Sequence, residues 1–133
     1  QYYQVIHKGE IVQRLLTSSA TANKVTPTGK FKLGIKAAAP KSTLYQSVMP
    51  FWTTIRIPGH SFEYGNHGLP GESYLYYLGQ PASHGCLRLS NKWIKQNVFS
   101  IGLYVEGRMT VISDFHALSR IKINEFLCSR FRF

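Results

Sequence analysis

The chain has 133 residues, the size of one ordinary domain, and 44% of them are hydrophobic and 14% aromatic, which excludes a disordered polypeptide. Sixteen Lys and Arg against six Asp and Glu give a formal net charge of +10, a balance that attracts polyanions such as nucleic acid, an anionic membrane face or an acidic cell-wall polymer. No apolar run approaches the roughly 18–20 residues that cross a bilayer as a helix, and two cysteines, Cys86 and Cys128, are too few for a disulfide scaffold.

Residues 1–16 read as a hairpin: Tyr3, Val5 and Ile6, a Lys8-Gly9-Glu10 turn, then Ile11, Val12 and Leu15. Thr17 to Asn23 is small and polar, hence a loop, and Thr26-Pro27-Thr28-Gly29 is a sharper break. Lys30 to Ile35 alternates charged or small with apolar residues and predicts a half-buried strand. Lys36 to Ser47 reads as an irregular connection, and Met49 to Ile57, rich in aromatic and β-branched residues, as a strand ended by Pro58-Gly59. Ser61 to Tyr64 is expected to be extended, leading into Gly65-Asn66-His67-Gly68.

Leu69 to Glu72 predicts a turn and residues 73–82 a tyrosine-bearing loop. Ser90 is placed to cap a short helix over Asn91 to Phe99, with Trp93, Ile94 and Val98 inward. Leu103 to Val105, a Glu106-Gly107-Arg108 turn and Met109 to Ile112 supply the last strand. Residues 114–133 carry an imperfect helical stripe that packs back on the sheet or meets a partner. The expected molecule is one mainly β domain over residues 1–113 with a C-terminal extension, 114–133, of unassigned role.

Chemistry concentrates in Ser83-His84-Gly85-Cys86-Leu87-Arg88. A thiol attacks a carbonyl as thiolate, so it needs a lowered pKa or a base beside it. His67, nineteen positions upstream, is the natural base, able to hold the proton or to pair with the thiolate. Its imidazole needs a partner that fixes the tautomer: Glu63, Glu72 or a main-chain carbonyl such as that of Gly68. Gly85 permits a tight turn whose backbone N–H groups can meet an oxyanion. Arg88, two residues past the thiol, shares its face of an extended segment and suits a substrate carboxylate.

Each of these residues also has a plainer reading. A single buried Cys is more often a small hydrophobe, and a single His more often structural. His60, His67, His84 and Cys86 could together ligate zinc, but His-Gly-Cys is not a usual ligand spacing and no Cys-x-x-Cys pair is present, so no metal and no cofactor are expected. Nucleic acid is disfavoured because the basic residues are scattered and no DNA- or RNA-binding signature accompanies them.

His67-Gly68 followed by Ser83-His84-Gly85-Cys86-Leu87-Arg88 closely resembles the signature of the L,D-transpeptidase catalytic domain, the YkuD domain. Thr26-Pro27-Thr28-Gly29-Lys30-Phe31 and Met49-Pro50-Phe51-Trp52 are similar to further stretches of that family, in the same order. The resemblance implies a mixed β-sandwich with one or two short helices, acting on peptidoglycan stem peptides in the periplasm or cell wall. It implies Cys86 as nucleophile, His67 as base, Gly68 as main-chain orienter, and Ser83, His84 and Gly85 around the nucleophile. Arg88, Tyr64 and Asn66 stand on the substrate side, with Asn66 where the family usually carries an aliphatic residue. The acceptor would be an amine for a transpeptidase or water for an L,D-carboxypeptidase; a non-catalytic cell-wall binding module is the other reading. The family's domain normally opens with a strand before the hairpin. The start at Gln1, without Met or signal peptide, is expected to mark a processed or excised chain that has lost that strand and its targeting segment.

Overall fold

A computed structural model describes residues 1–7, 10–60, 63–96 and 108–111, with side chains described over 1–5, 10–60 and 63–96. The hairpin turn at Lys8-Gly9, the helical position of Val98, the segment from Leu103 to Val105 and the tail 114–133 lie outside the described residues. Two sheets carry the architecture. In the first, β1 (Tyr2–His7) and β2 (Glu10–Leu16) pair antiparallel from Tyr2 opposite Leu16 to His7 opposite Glu10, with a bulge between Val5 and Ile6.

The second sheet has five strands: β3 (Gly29–Ala37), β4 (Trp52–Arg56), β5 (Tyr64–Gly68), β6 (Leu87–Leu89) and β7 (Arg108–Val111), in the order β6-β5-β4-β3-β7. Every pairing is antiparallel except that of β5 with β6, which is parallel. A parallel neighbour requires a long crossover rather than a hairpin, and residues 69–86 supply it. Within it Glu72–Tyr77 forms a 3₁₀ helix where the sequence reading expects a loop. The fold is mainly β with short helices, as the sequence leads one to expect.

Three further local differences have physical causes. Met49 to Phe51 stays outside β4, which starts only at Trp52, because Pro50 has no N–H to give a ladder and Phe51 sits at φ 56°. Gly65-Asn66-His67-Gly68, which the sequence reading leaves without an element of its own, forms the strand β5 together with Tyr64. Thr17 to Ala20 is no free loop either: Ser18 exchanges both backbone hydrogen bonds with Arg88 (3.1 and 2.9 Å) and Ser83 N–H donates to Ser19 C=O at 2.8 Å. This segment therefore covers the outer edge of β6, which would otherwise stand open.

The core sits where α1 (Asn91–Ile94) follows β6. Ser90 precedes the helix in an extended conformation without a side-chain capping bond. Leu89, Trp93 and Ile94 are buried, and Tyr3, Val5, Leu15 and Phe51 pack against them, so the hairpin and the larger sheet share one apolar centre. The Tyr3 and Trp93 rings meet edge to face at 5.8 Å and 61°, the arrangement that ring quadrupoles favour. Leu89 is fully enclosed at 0% exposure. Replacing it by Ala is expected to cost about 3 kcal/mol, read as a lower urea midpoint with an unchanged denaturant slope.

Candidate active site

The register of β5 and β6 brings the reactive groups together. Asn66 lies opposite Leu87, His67 opposite Arg88 and Gly68 opposite Leu89. One step back along both strands, Gly65 neighbours Cys86, and its main chain hydrogen-bonds the thiol. Side chains alternate between faces, so Cys86, Arg88 and His67 share one face while Asn66, Leu87 and Leu89 turn to the other. His67 is thus the diagonal neighbour of Cys86, a relation that puts the backbones about 7–8 Å apart and the side chains in mutual reach.

Only a strand this slender admits the arrangement. A Cβ at Gly65 would come within 2.6 Å of the Trp52 ring and 2.8 Å of the Thr53 carbonyl oxygen. The bare backbone lets Trp52 lie over this face, where its ring stacks on that of His67 at 6.0 Å and 27° and its Nε1–H donates to Thr54 Oγ1 at 2.9 Å. Trp52 is 5% exposed and His67 5% exposed, so the imidazole works in a dry, apolar pocket.

His67 Nδ1 stands 2.6 Å from the carbonyl oxygen of Gly68. A carbonyl only accepts, so Nδ1 carries the proton and Nε2 keeps its lone pair. Burial pushes the His67 pKa down to about 4, the Gly68 bond opposes this, and the Arg88 cation adds to it. Burial likewise raises the Cys86 thiol, against the Gly65 hydrogen bond and the Arg88 charge, which favour thiolate. The resting pair is therefore a neutral imidazole beside a neutral thiol. Of the orienters the sequence offers, Glu63 and Glu72 are both exposed; the Gly68 carbonyl holds the ring.

The turn before the thiol is clamped from several sides. Ser83, 1% exposed, donates from Oγ to the Cys86 carbonyl at 2.6 Å and accepts the Gly85 N–H at 3.1 Å. Gly85 has φ 137°, outside the range of ordinary side chains, and a Cβ there would stand 2.9 Å from the Tyr64 ring. Thr26 Oγ1 donates to the Gly85 carbonyl at 2.8 Å and receives the Ala20 N–H at 3.0 Å. Thr17 Oγ1 donates to Arg88 C=O at 2.9 Å, and Thr21 N–H to Ser83 C=O at 3.0 Å. These supports from Thr17 to Thr26 are missed by sequence reasoning; their one signal is a hydroxyl-rich stretch in an apparent loop.

The remaining candidates divide. Arg88 borders the thiol and His67, but its Nη1 donates to the Ala82 carbonyl at 3.0 Å, and its buried Nε has no partner among the described residues. Tyr64 is half-buried against Gly85 and meets His60 edge to face at 5.5 Å. His84 is exposed and stacks on Tyr45 at 4.2 Å rather than turning toward the thiol. Asn66 is 0% exposed on the far face, its amide without a partner among the described residues; burial removes it from contact with a substrate. Among the described residues no three His, Cys, Asp or Glu side chains converge.

Two measurements follow from these electrostatics. An imidazole held neutral binds fewer protons folded than unfolded, so His67 makes stability rise with pH between about 4 and the ordinary 6.5 and fall as pH drops through that window. Urea midpoints should follow that slope, amounting to about 3 kcal/mol, and His67→Gln should flatten it. The raised thiol predicts that iodoacetamide alkylates Cys86 at a rate still climbing through pH 9; a plateau near neutrality would instead mark a preformed thiolate–imidazolium pair.

The model of the YkuD family, the L,D-transpeptidase catalytic domain, matches residues 1–98. Among solved structures, the L,D-transpeptidase from Stackebrandtia nassauensis is similar with a TM-score of 0.68 and 21% identity, over 86% of this chain and 51% of that one. The L,D-transpeptidase from Xylanimonas cellulosilytica (residues 123-326) matches with a TM-score of 0.63 and 25% identity, over 83% and 54%. That from Mycobacterium smegmatis matches with a TM-score of 0.59 and 16% identity, over 77% and 50%. The chain thus spans about half the length of these structures. No curated protein sequence matches it.

Proposed function

The chain belongs to the YkuD family of L,D-transpeptidase catalytic domains, and from that premise we propose that it is a cysteine-dependent peptidoglycan L,D-transpeptidase acting outside the cytoplasm. The observation that carries the reading is the 2.6 Å bond between His67 Nδ1 and the Gly68 carbonyl, which leaves Nε2 as a base on the face shared with Cys86.

In this mechanism Nε2 takes the Cys86 proton as the sulfur attacks the carbonyl that joins the third residue of a tetrapeptide stem to its terminal D-Ala. The imidazolium so formed returns the proton to the departing D-Ala amine, and a thioester remains on Cys86. An acceptor amine then attacks the thioester, loses its proton to His67, and restores the thiol. Because Gly85 N–H is already given to Ser83 Oγ, the negative oxygen of each tetrahedral intermediate falls to the main-chain donors of His84 and Cys86. One such donor is typically worth about 3–4 kcal/mol in the transition state. Arg88, whose charge acts on the thiol, attracts a carboxylate of the stem.

Intact-mass measurement tests this directly. The purified chain, mixed with a stem tetrapeptide or a carbapenem, should gain one acyl group, and Cys86→Ala should gain none. A folded sample that takes up no adduct, or an adduct that survives Cys86→Ala, would sink the proposal. Adding an amine acceptor separates the two fates of the thioester: a new amide product marks transfer, and D-Ala release with free tetrapeptide converted to tripeptide marks water as acceptor.

A further inference from the structure

The crossover between His67 and Cys86 carries more aromatic surface than its connecting role requires. Tyr74, Leu75 and Tyr76 of the 3₁₀ segment are 41%, 47% and 64% exposed. Tyr76 and Tyr77 approach to 4.0 Å between ring centres with a 35° tilt, and Tyr74 and Tyr77 to 6.0 Å with 39°. The Tyr76 and Tyr77 hydroxyls are hydrogen-bonded to each other. A 3₁₀ helix turns every three residues, so Tyr74 and Tyr77 stand one above the other, and the three rings form a shelf whose outer face is that of Tyr76, stacked over Tyr77.

The shelf is fixed rather than loose. Gln80 donates from Nε2 to Tyr76 C=O at 2.9 Å and from its backbone N–H to Tyr77 C=O at 3.1 Å. Gly79 N–H donates to Thr17 C=O at 2.8 Å, which ties the segment to the strip covering β6. Tyr74 and Tyr77 lie near enough to Arg88 to act on its charge, so the shelf is within electrostatic reach of the cation that borders the thiol.

Charge selects the occupant. The molecule carries a net +10, yet from Leu69 to Pro81 there is one acid, Glu72, and no Lys or Arg. A polyanion or an anionic membrane would be drawn to the basic remainder of the surface and gains nothing from this strip, whose one charge is negative. Ring faces with hydroxyls at their rims instead match a neutral ligand that presents C–H bonds on one face and hydroxyls at its edge. We infer that Tyr74, Tyr76 and Tyr77 form a stacking platform for hexopyranose rings, a subsite for the glycan strand whose stem peptide reaches Cys86. The identity of that strand rests on the acyl-transfer reading above; the stacking of neutral sugar rings does not.

A soluble tetramer of β-1,4-linked N-acetylglucosamine, which carries no peptide, is the probe. Calorimetric titration into the wild-type chain and into Cys86→Ala should give binding in both. Tyr76→Ala should weaken it about tenfold, whereas Tyr76→Phe, which keeps the ring, should stay within about threefold; circular dichroism checks that both variants are folded. Absence of binding to the wild-type chain, or equal binding by Tyr76→Ala, overturns the platform, as does Tyr76-dependent binding to phosphatidylglycerol vesicles in place of the sugar. A carbapenem contains no sugar, so an adduct on Cys86 without tetramer binding removes the platform alone.

Discussion

The parallel pairing of β5 with β6 sets the position of every reactive group. With Asn66 opposite Leu87 and Gly68 opposite Leu89, the alternation of the two strands sends Cys86, His67 and Arg88 to one face and the core-filling leucines to the other. A slip of one residue would exchange the faces, burying the thiol side in the core and exposing Leu87 and Leu89. The register is therefore held by the hydrophobic demand of the core as much as by the site. The burial of Leu89 against Trp93 and Ile94 and the orientation of the catalytic face are one constraint.

Dryness is the second condition. Trp52 can lie over His67 because Gly65 offers no side chain, and the resulting burial keeps the imidazole neutral and the thiol protonated. An imidazole in this state has a free lone pair, which is what the proposed role of base requires. In the proposed mechanism proton transfer is coupled to attack, when the developing charge finds main-chain donors, instead of being completed beforehand in an apolar pocket. A neutral resting thiol also limits indiscriminate reaction with electrophiles, since thiolate is the reactive species.

How much of this the sequence discloses depends on the range of the interaction. The hairpin, with β-branched residues about a Gly-containing turn, is readable locally, and so is the family signature in His67-Gly68 and Ser83 to Arg88. The strand character of Gly65 to Gly68 is hidden because two glycines in four residues ordinarily mark a turn; tertiary packing against Trp52 overrides that preference. The 3₁₀ helix is hidden because a tyrosine-rich run of six residues has neither helical length nor alternation. Asn66 and Thr53, both fully buried with side-chain atoms that find no partner among the described residues, stand where the pattern calls for apolar residues, and nothing local announces them. The supports from Thr17 to Thr26 are invisible for a simpler reason: their partners are far along the chain.

That distance has a consequence for what the motif is as a physical object. Thr26 and Gly85 are bonded across 59 positions, and Thr17 and Arg88 across 71. Bringing such ends together carries a chain-closure entropy that grows only slowly with loop length but must be met before any of the bonds forms. A peptide cut from His67 to Arg88 would contain the thiol, the imidazole and the guanidinium, and the local Ser83 bonds to Gly85 and Cys86, yet it would lack the Thr26 bond to the Gly85 carbonyl and the Thr17 and Thr21 bonds on either side of it. The signature is therefore a set of reactants without autonomy; its reactivity is a property of the closed chain, lent to it by hydroxyls on the opposite side of the sequence.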